Sequence, residues 1–193
     1  MKKVGLFFGS FNPVHVGHMI IADFVANNTD VDQVWFVVSP HNPLKEKKSL
    51  LAGHHRLAMV ERATESDNRF KASDVEFALE QPSYTTITLV YLKEKYPDIE
   101  FALIMGGDSL TSLPKWKNYE TILSGYPIIV YSRPQQNNFD ALLEQGDITV
   151  LDAPQMNLSS SAIRKQIVEG SPVKYLMPHE AWLYLDEMNF YKN

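Results

Sequence analysis

The amino-acid sequence predicts a single-domain, doubly wound α/β fold: a mostly parallel sheet with helices on both faces. Three observations carry this reading. Short apolar runs alternate with helix-period segments along the 193 residues, the pattern that builds βα units. The runs are rich in Val, Ile and Phe without polar alternation, as strands covered on both faces must be. Two glycine-containing loops, residues 9–18 and 106–109, each follow a strand directly, where open parallel sheets collect ligands. No repeat, low-complexity tract or dividing linker interrupts residues 1–193.

Strands are expected at 4–8, 34–38, 70–76 (the weakest), 100–105, 128–131 and 148–151. Helices are expected near 18–27, 54–66, 84–96, 119–123, 139–144, 160–169 and 178–188. The first strand runs into Gly9-Ser-Phe-Asn-Pro-Val-His-Val-Gly-His18. Gly9 lets backbone approach a ligand closely, because no Cβ stands in the way. Pro13 donates no backbone hydrogen bond and suits the loop before a helix. Met19, Ile20, Ile21, Phe24 and Val25 then recur at helical spacing. The start of that helix has unpaired N–H groups and the positive end of the dipole, which attract anions. His15 and His18, three apart, share one face there and can address one ligand. The same pair could ligate a metal, but no cysteine and no second compact ligand cluster accompanies it. His54 and His55 are adjacent and would diverge on a helix. The polar segment 41–53 is the longest loop candidate. Pro178 suits a first helical turn, and Trp182, Leu183, Leu185 and Met188 read as packing.

A 45% hydrophobic content suffices for one core at this length. Cysteine is absent, which excludes a disulfide framework and fits a reducing cytoplasm. A formal net charge of −5 argues against a nucleic-acid surface, which needs basic excess. Lys45, Lys47 and Lys48, with Glu46 among them, read as a solvated loop. Met1-Lys-Lys before an apolar run imitates a secretory leader, but Asn12, Pro13 and His15 interrupt it too early. The other apolar runs are too short to span a bilayer, so no membrane partner is expected and a cytoplasmic protein is. No sustained heptad declares an interface, and a homo-oligomer stays open.

Leu158-Ser-Ser-Ser-Ala-Ile-Arg164 follows the last strand and opens a helix. Its serines can cap that helix and offer hydroxyls, and Arg164 can grip phosphate with two parallel bonds. The two segments together resemble the paired signatures of the nucleotidyltransferase superfamily. The first, glycine-x-phenylalanine-x-proline-x-histidine-x-glycine-histidine, is present as Gly9, Phe11, Pro13, His15, Gly17 and His18. The second is matched from Leu158 to Arg164. Two departures are Asn12, where aspartate is commoner, and Ser161, where threonine is usual.

Between the signatures the chain resembles the nicotinate mononucleotide adenylyltransferase branch. The matching segments are Pro40-His-Asn-Pro-Leu-Lys45, His55-Arg-Leu-Ala-Met59, Ser83-Tyr-Thr-Thr-Ile-Thr-Leu89, Gly106-Gly-Asp-Ser-Leu110 and Lys115-Trp116. The resemblance implies a Rossmann-like fold and adenylyl transfer from ATP to nicotinate mononucleotide, yielding the dinucleotide and pyrophosphate. It implies catalytic roles for His15, His18, Lys45 and Arg164. ATP and its phosphates would meet Gly9, Ser10, Phe11, Gly17, Gly106, Asp108, Ser159, Ser160 and Ser161. Nicotinate mononucleotide would meet Tyr84, Thr85, Trp116, Lys117 and Arg133, with Trp116 stacked on the pyridine and Thr85 among the donors to its carboxylate. Mg²⁺ would accompany ATP, held by phosphates and water, with no dedicated protein cage. Lys117 adds a cation beside the presumed pyridine pocket. Preference for the acid over the amide rests on the resemblance alone.

Each middle segment also has an ordinary reading. Arg56 could pair with Glu61 or Asp67 on the surface, Trp116 could be core, and Asp108 could cap a helix beginning near Leu110. A cytidylyltransferase or another adenylyltransferase of the superfamily is disfavoured by Tyr84-Thr85 and Gly106-Gly-Asp108. A non-catalytic nucleotide sensor is disfavoured by the intact His18 and Arg164. An aminoacyl-tRNA-synthetase-like module is disfavoured by the acidic balance.

Overall fold

The β1 strand (Lys2–Gly9) begins a six-stranded sheet whose order is β3-β2-β1-β4-β5-β6. The computed structural model describes residues 1–40, 50–131, 140–154 and 156–192. The other strands are β2 (Gln33–Val38), β3 (Phe70–Ser73), β4 (Ile99–Gly106), β5 (Ile128–Tyr131) and β6 (Ile148–Leu151). All five pairings are parallel, as the continuous apolar runs require. The order reverses between β1 and β4, which are hydrogen-bonded neighbours. A crevice at that switch point is where such sheets bind ligands.

Successive side chains of each strand serve opposite faces. Phe7, Phe36 and Ile104 enter one core with α1 (Val16–Asn28), α2 (Gly53–Thr64), α7 (Ser160–Val168) and α8 (His179–Glu187). Leu6, Val37 and Leu103 enter the other with α3 (Thr85–Lys95), α4 (Gly107–Ser112) and α5 (Tyr119–Gly125). The short α6 (Asp140–Leu143) precedes β6. Among the described residues, no helix is long and apolar enough to cross a membrane.

Three local expectations are corrected. The strand expected over 70–76 ends at Ser73, whose hydroxyl accepts from the Val75 N–H and turns the chain into a 3₁₀ turn, Val75–Ala78. A helix begins at Gly107 rather than near Leu110, so Asp108 lies inside its first turn and does not cap it. The β6 edge strand exposes Thr149 and Val150, so it is not covered on both faces.

Phe36 is fully buried and its ring lies 5.5–5.6 Å from those of Phe7 and Phe11. It therefore supports the loop after β1 from beneath. Phe36→Ala should cost about 3–5 kcal/mol, because the cavity left between strand and loop cannot fully collapse. Urea unfolding would measure it; a loss under about 1 kcal/mol would show that the ring is not packed as described.

Candidate active site

The chain leaves β1 at Gly9 and reverses at Phe11, whose backbone is left-handed (φ 44°). That reversal lays the Phe11 ring over Gly9, where an added Cβ would lie 2.8 Å from the ring. The glycine is thus required by its own loop, a reason additional to the close ligand approach expected of it. Phe11 is buried and touches the His18 ring edge-on, with centroids 5.0 Å apart. Gly17 plays a similar part, since a Cβ there would meet His15 Nδ1 at 3.0 Å.

The two histidines do not act alike. His15 is buried, its ring stacked 3.7 Å from that of His18, and burial lowers its pKa to about 4. It is therefore neutral at pH 7. The His15 backbone N–H donates to His18 Nδ1 at 3.1 Å. A neutral His18 ring accepting at Nδ1 carries its proton on Nε2. That leaves the loop presenting a donor rather than a base.

Below this loop lies Arg56, fully buried in α2. Its guanidinium donates to the backbone carbonyls of Leu51 (2.8 Å), Ser10 (2.6 Å), Ser39 (2.8 Å) and Pro40 (2.9 Å). The surface pairing with Glu61 or Asp67 is thereby overturned. Burial lowers the pKa of this guanidinium from its usual value, and four carbonyl acceptors replace its lost water.

Facing the loop, α7 starts with Ser159 as N-cap, its hydroxyl accepting from the Ala162 N–H at 3.2 Å. The Ser160 hydroxyl donates to the Pro13 carbonyl at 2.9 Å, and Arg164 donates to the Asn12 carbonyl at 2.7 Å and to the Ser161 hydroxyl at 3.3 Å. Ser160 and Arg164 thus hold the two loops together, while Ser159 and Ser161 bond within the start of α7. Asn12 is buried and its Oδ1 accepts from the Leu51 N–H (3.1 Å) and the Tyr191 hydroxyl (2.6 Å). Asparagine at position 12 is here an acceptor, as aspartate would be.

The result is a cleft of about 500 Å³ at the carboxyl ends of β1 and β4. Three helix N-termini, those of α1, α4 and α7, supply residues to its lining. Neither α1 nor α7 has an acidic residue in its first turn to offset its dipole. Asp108 is the one carboxylate among the described lining residues. Among the described residues, no group of three or more His, Cys, Asp or Glu is placed to hold a metal ion.

This geometry has relatives. The cytidylyltransferase-like family model matches residues 6–166. A probable nicotinate-nucleotide adenylyltransferase of Flavobacterium johnsoniae is 52% identical over 191 residues, covering 98% of this chain and 99% of the relative. The chain belongs to the nicotinate-nucleotide adenylyltransferase family. A Bacteroides thetaiotaomicron protein of the same description is 40% identical over 185 residues, covering 96% and 91%. The fold matches that of Plasmodium falciparum nicotinic acid mononucleotide adenylyltransferase complexed with NaAD, at TM-score 0.81 and 19% identity, over 99% of this chain and 98% of that one.

In this family member, the residues expected at the phosphates do converge. Gly9, Ser10, Phe11, His15, Gly17, His18, Gly106, Asp108, Ser159, Ser160, Ser161 and Arg164 all line the one cleft. Those expected at the mononucleotide form a separate group beyond α4. Tyr84 precedes α3, Thr85 opens it, and Lys117 Nζ stands 4.5 Å from the Tyr84 ring. The Thr86 hydroxyl donates to the Lys117 carbonyl at 2.9 Å, tying this corner together. Trp116 is partly buried against the second core and its Nε1 has no hydrogen-bond partner among the described residues. Lys45 and Arg133 lie outside the described residues. Sequence reasoning missed the carbonyl-binding role of Arg56 and all of Tyr191, which only long-range pairing reveals.

Two outcomes follow. A buried histidine that resists protonation contributes stability above its unfolded pKa of 6.5, and that contribution is lost as pH falls towards about 4. His15→Asn should therefore flatten the fall in unfolding free energy between pH 7 and pH 5, measured by urea titration at both; an unchanged slope would show that His15 titrates normally. Arg56→Met should destabilise by about 3–5 kcal/mol, because several buried carbonyls lose their only charged donor. Thermal unfolding would check it, and a near-neutral effect would mean that the carbonyls find other donors.

Proposed function

We propose that this chain transfers the adenylyl group of ATP to nicotinate mononucleotide, releasing pyrophosphate and forming nicotinate adenine dinucleotide. Membership of the family supports the reaction. The observation that carries it is the cleft where three helix N-termini, His18 and Arg164 converge on one space. A site so built suits a polyphosphate.

The mononucleotide phosphate oxygen attacks the α-phosphorus, forming one P–O bond. The bond from α-phosphorus to the bridging oxygen breaks, and its electron pair leaves with pyrophosphate. The attacking phosphate is already anionic at neutral pH, so neither a serine nucleophile nor a strong base is required. Catalysis is then alignment and stabilisation of developing charge. The Nε2–H of His18 donates to the reacting phosphates near the bridging oxygen. Neutral His15 stacks behind it and limits the poses its ring can take. Arg164 and the N–H groups opening α7 receive the departing pyrophosphate, and Lys45 neutralises the substrate phosphate. Asp108 accepts from ribose hydroxyls.

Magnesium would accompany ATP and would supply positive charge against its phosphates, with no protein residue assigned to hold it. In the second group, Trp116 stacks on the pyridine, with Thr85 and Lys117 near its carboxylate and Arg133 on the mononucleotide. Since ATP is an intracellular substrate, we place the reaction in the cytoplasm.

Pyrophosphate release from magnesium–ATP tests the proposal with nicotinate mononucleotide, nicotinamide mononucleotide and 4′-phosphopantetheine as acceptors. Turnover should be strongest with the nicotinate compound. His18→Ala should lower kcat about 100-fold or more, with KM changed little. Release with another acceptor alone would overturn the assigned substrate, and ATP binding without release would favour a sensor.

A further inference from the structure

The tail after α8 reaches back across the molecule to the loop that follows β1. Its residues wind tightly: Asn189 and Tyr191 both have left-handed backbone, with φ of 54° and 61°. Asparagine tolerates that region, whereas a tyrosine there is strained and needs a compensating interaction. The Phe190 ring packs 4.6 Å from that of His55, the α2 residue next to Arg56, and His55 Nδ1 lies 2.9 Å from the Tyr184 hydroxyl. This docking sets Tyr191 so that its hydroxyl donates to Asn12 Oδ1 at 2.6 Å. Burial raises the pKa of that hydroxyl above the usual tyrosine range, so it stays a donor at any working pH.

Asn12 is where several constraints meet. Its Oδ1 also accepts from the Leu51 N–H, and the Leu51 carbonyl accepts from Arg56, which in turn holds the Ser10 carbonyl. Its own carbonyl accepts from Arg164 at 2.7 Å. The bonds to its side chain therefore anchor the residue whose backbone carbonyl receives Arg164. We infer that Tyr191 is a positioning residue: its hydroxyl, acting through Asn12, holds the loop after β1 and with it the Arg164 guanidinium in the orientation that the reaction uses. The inference rests on the proposed adenylyl transfer.

Tyr191→Phe removes one hydroxyl and keeps the ring. It should lower kcat about tenfold, with KM for each substrate within about twofold, because alignment is lost and binding is not. Far-UV circular dichroism at the assay temperature fixes the folded fraction. Asn12→Ala, which removes the acceptor instead, should lower kcat comparably, and the double variant should lose no more than Asn12→Ala alone. The Arg164 side-chain ¹⁵N–¹H resonance, recorded without substrate, should shift in Tyr191→Phe. Wild-type kcat in Tyr191→Phe, multiplicative losses in the double variant, or an unmoved Arg164 resonance would each overturn the inference. If the unaltered protein releases no pyrophosphate, the functional reading fails, and the Arg164 resonance alone decides whether Tyr191 positions it.

Discussion

A single buried guanidinium organises the catalytic end of this molecule. Arg56 donates to carbonyls from the loop after β1, the loop after β2 and the segment that leads into α2. Taking a charged side chain out of water costs several kcal/mol unless its donors are matched. The planar fork of arginine is matched here by acceptors drawn from three pieces of chain. The match works only when all three are in register, so the charge that is expensive to bury also fixes their relative placement. The Ser39 N–H bond to the Gly9 carbonyl, at 2.9 Å, closes the same junction from the strand side.

On that foundation the cleft obtains its attraction for anions mainly from groups that do not titrate near neutrality. The chain has a net charge of −5, and His15 is held neutral by burial. Local positive potential comes instead from the N-termini of α1 and α7, which carry no acidic residue in their first turns, together with Arg164. Fixed dipoles need no reorganisation as charge moves along a phosphate chain, which makes them effective at stabilising a transition state. An overall acidic protein can hold a polyphosphate on these terms because dipole fields are local, while the surface charge is screened within about 10 Å.

The fold was legible because its inner strands are covered on both faces and their apolar runs are continuous, whereas the edge strands β3 and β6 expose Lys71 in the first and Thr149 and Val150 in the second. The phosphate residues were legible because their function depends on spacing within two short segments, and spacing survives in a sequence. Their reasons were less so. The need for Gly9 comes from the left-handed turn of Phe11, which no composition records. Arg56 looked like a surface residue because charged neighbours share its helix, and only strand-end carbonyls reached from below reveal otherwise. Tyr191 lies 179 positions from Asn12, beyond any local pattern.

The placement of the two residue groups has a topological cause. The loop carrying His15 and His18 leaves β1, while Gly106 and Asp108 leave β4, its neighbour across the switch point. From Asp108 the chain passes through α4 and the 3₁₀ turn Leu113–Lys115 directly to Trp116 and Lys117, which Thr86 secures against the start of α3. A rigid, short connection thus separates the phosphate cleft from the tryptophan corner. Under the proposed reaction, one substrate bridges that connection and the other lies along the cleft, so their reacting atoms meet beside β1. In-line geometry then rests on two adjacent parallel strands, whose register is set by six residue pairs.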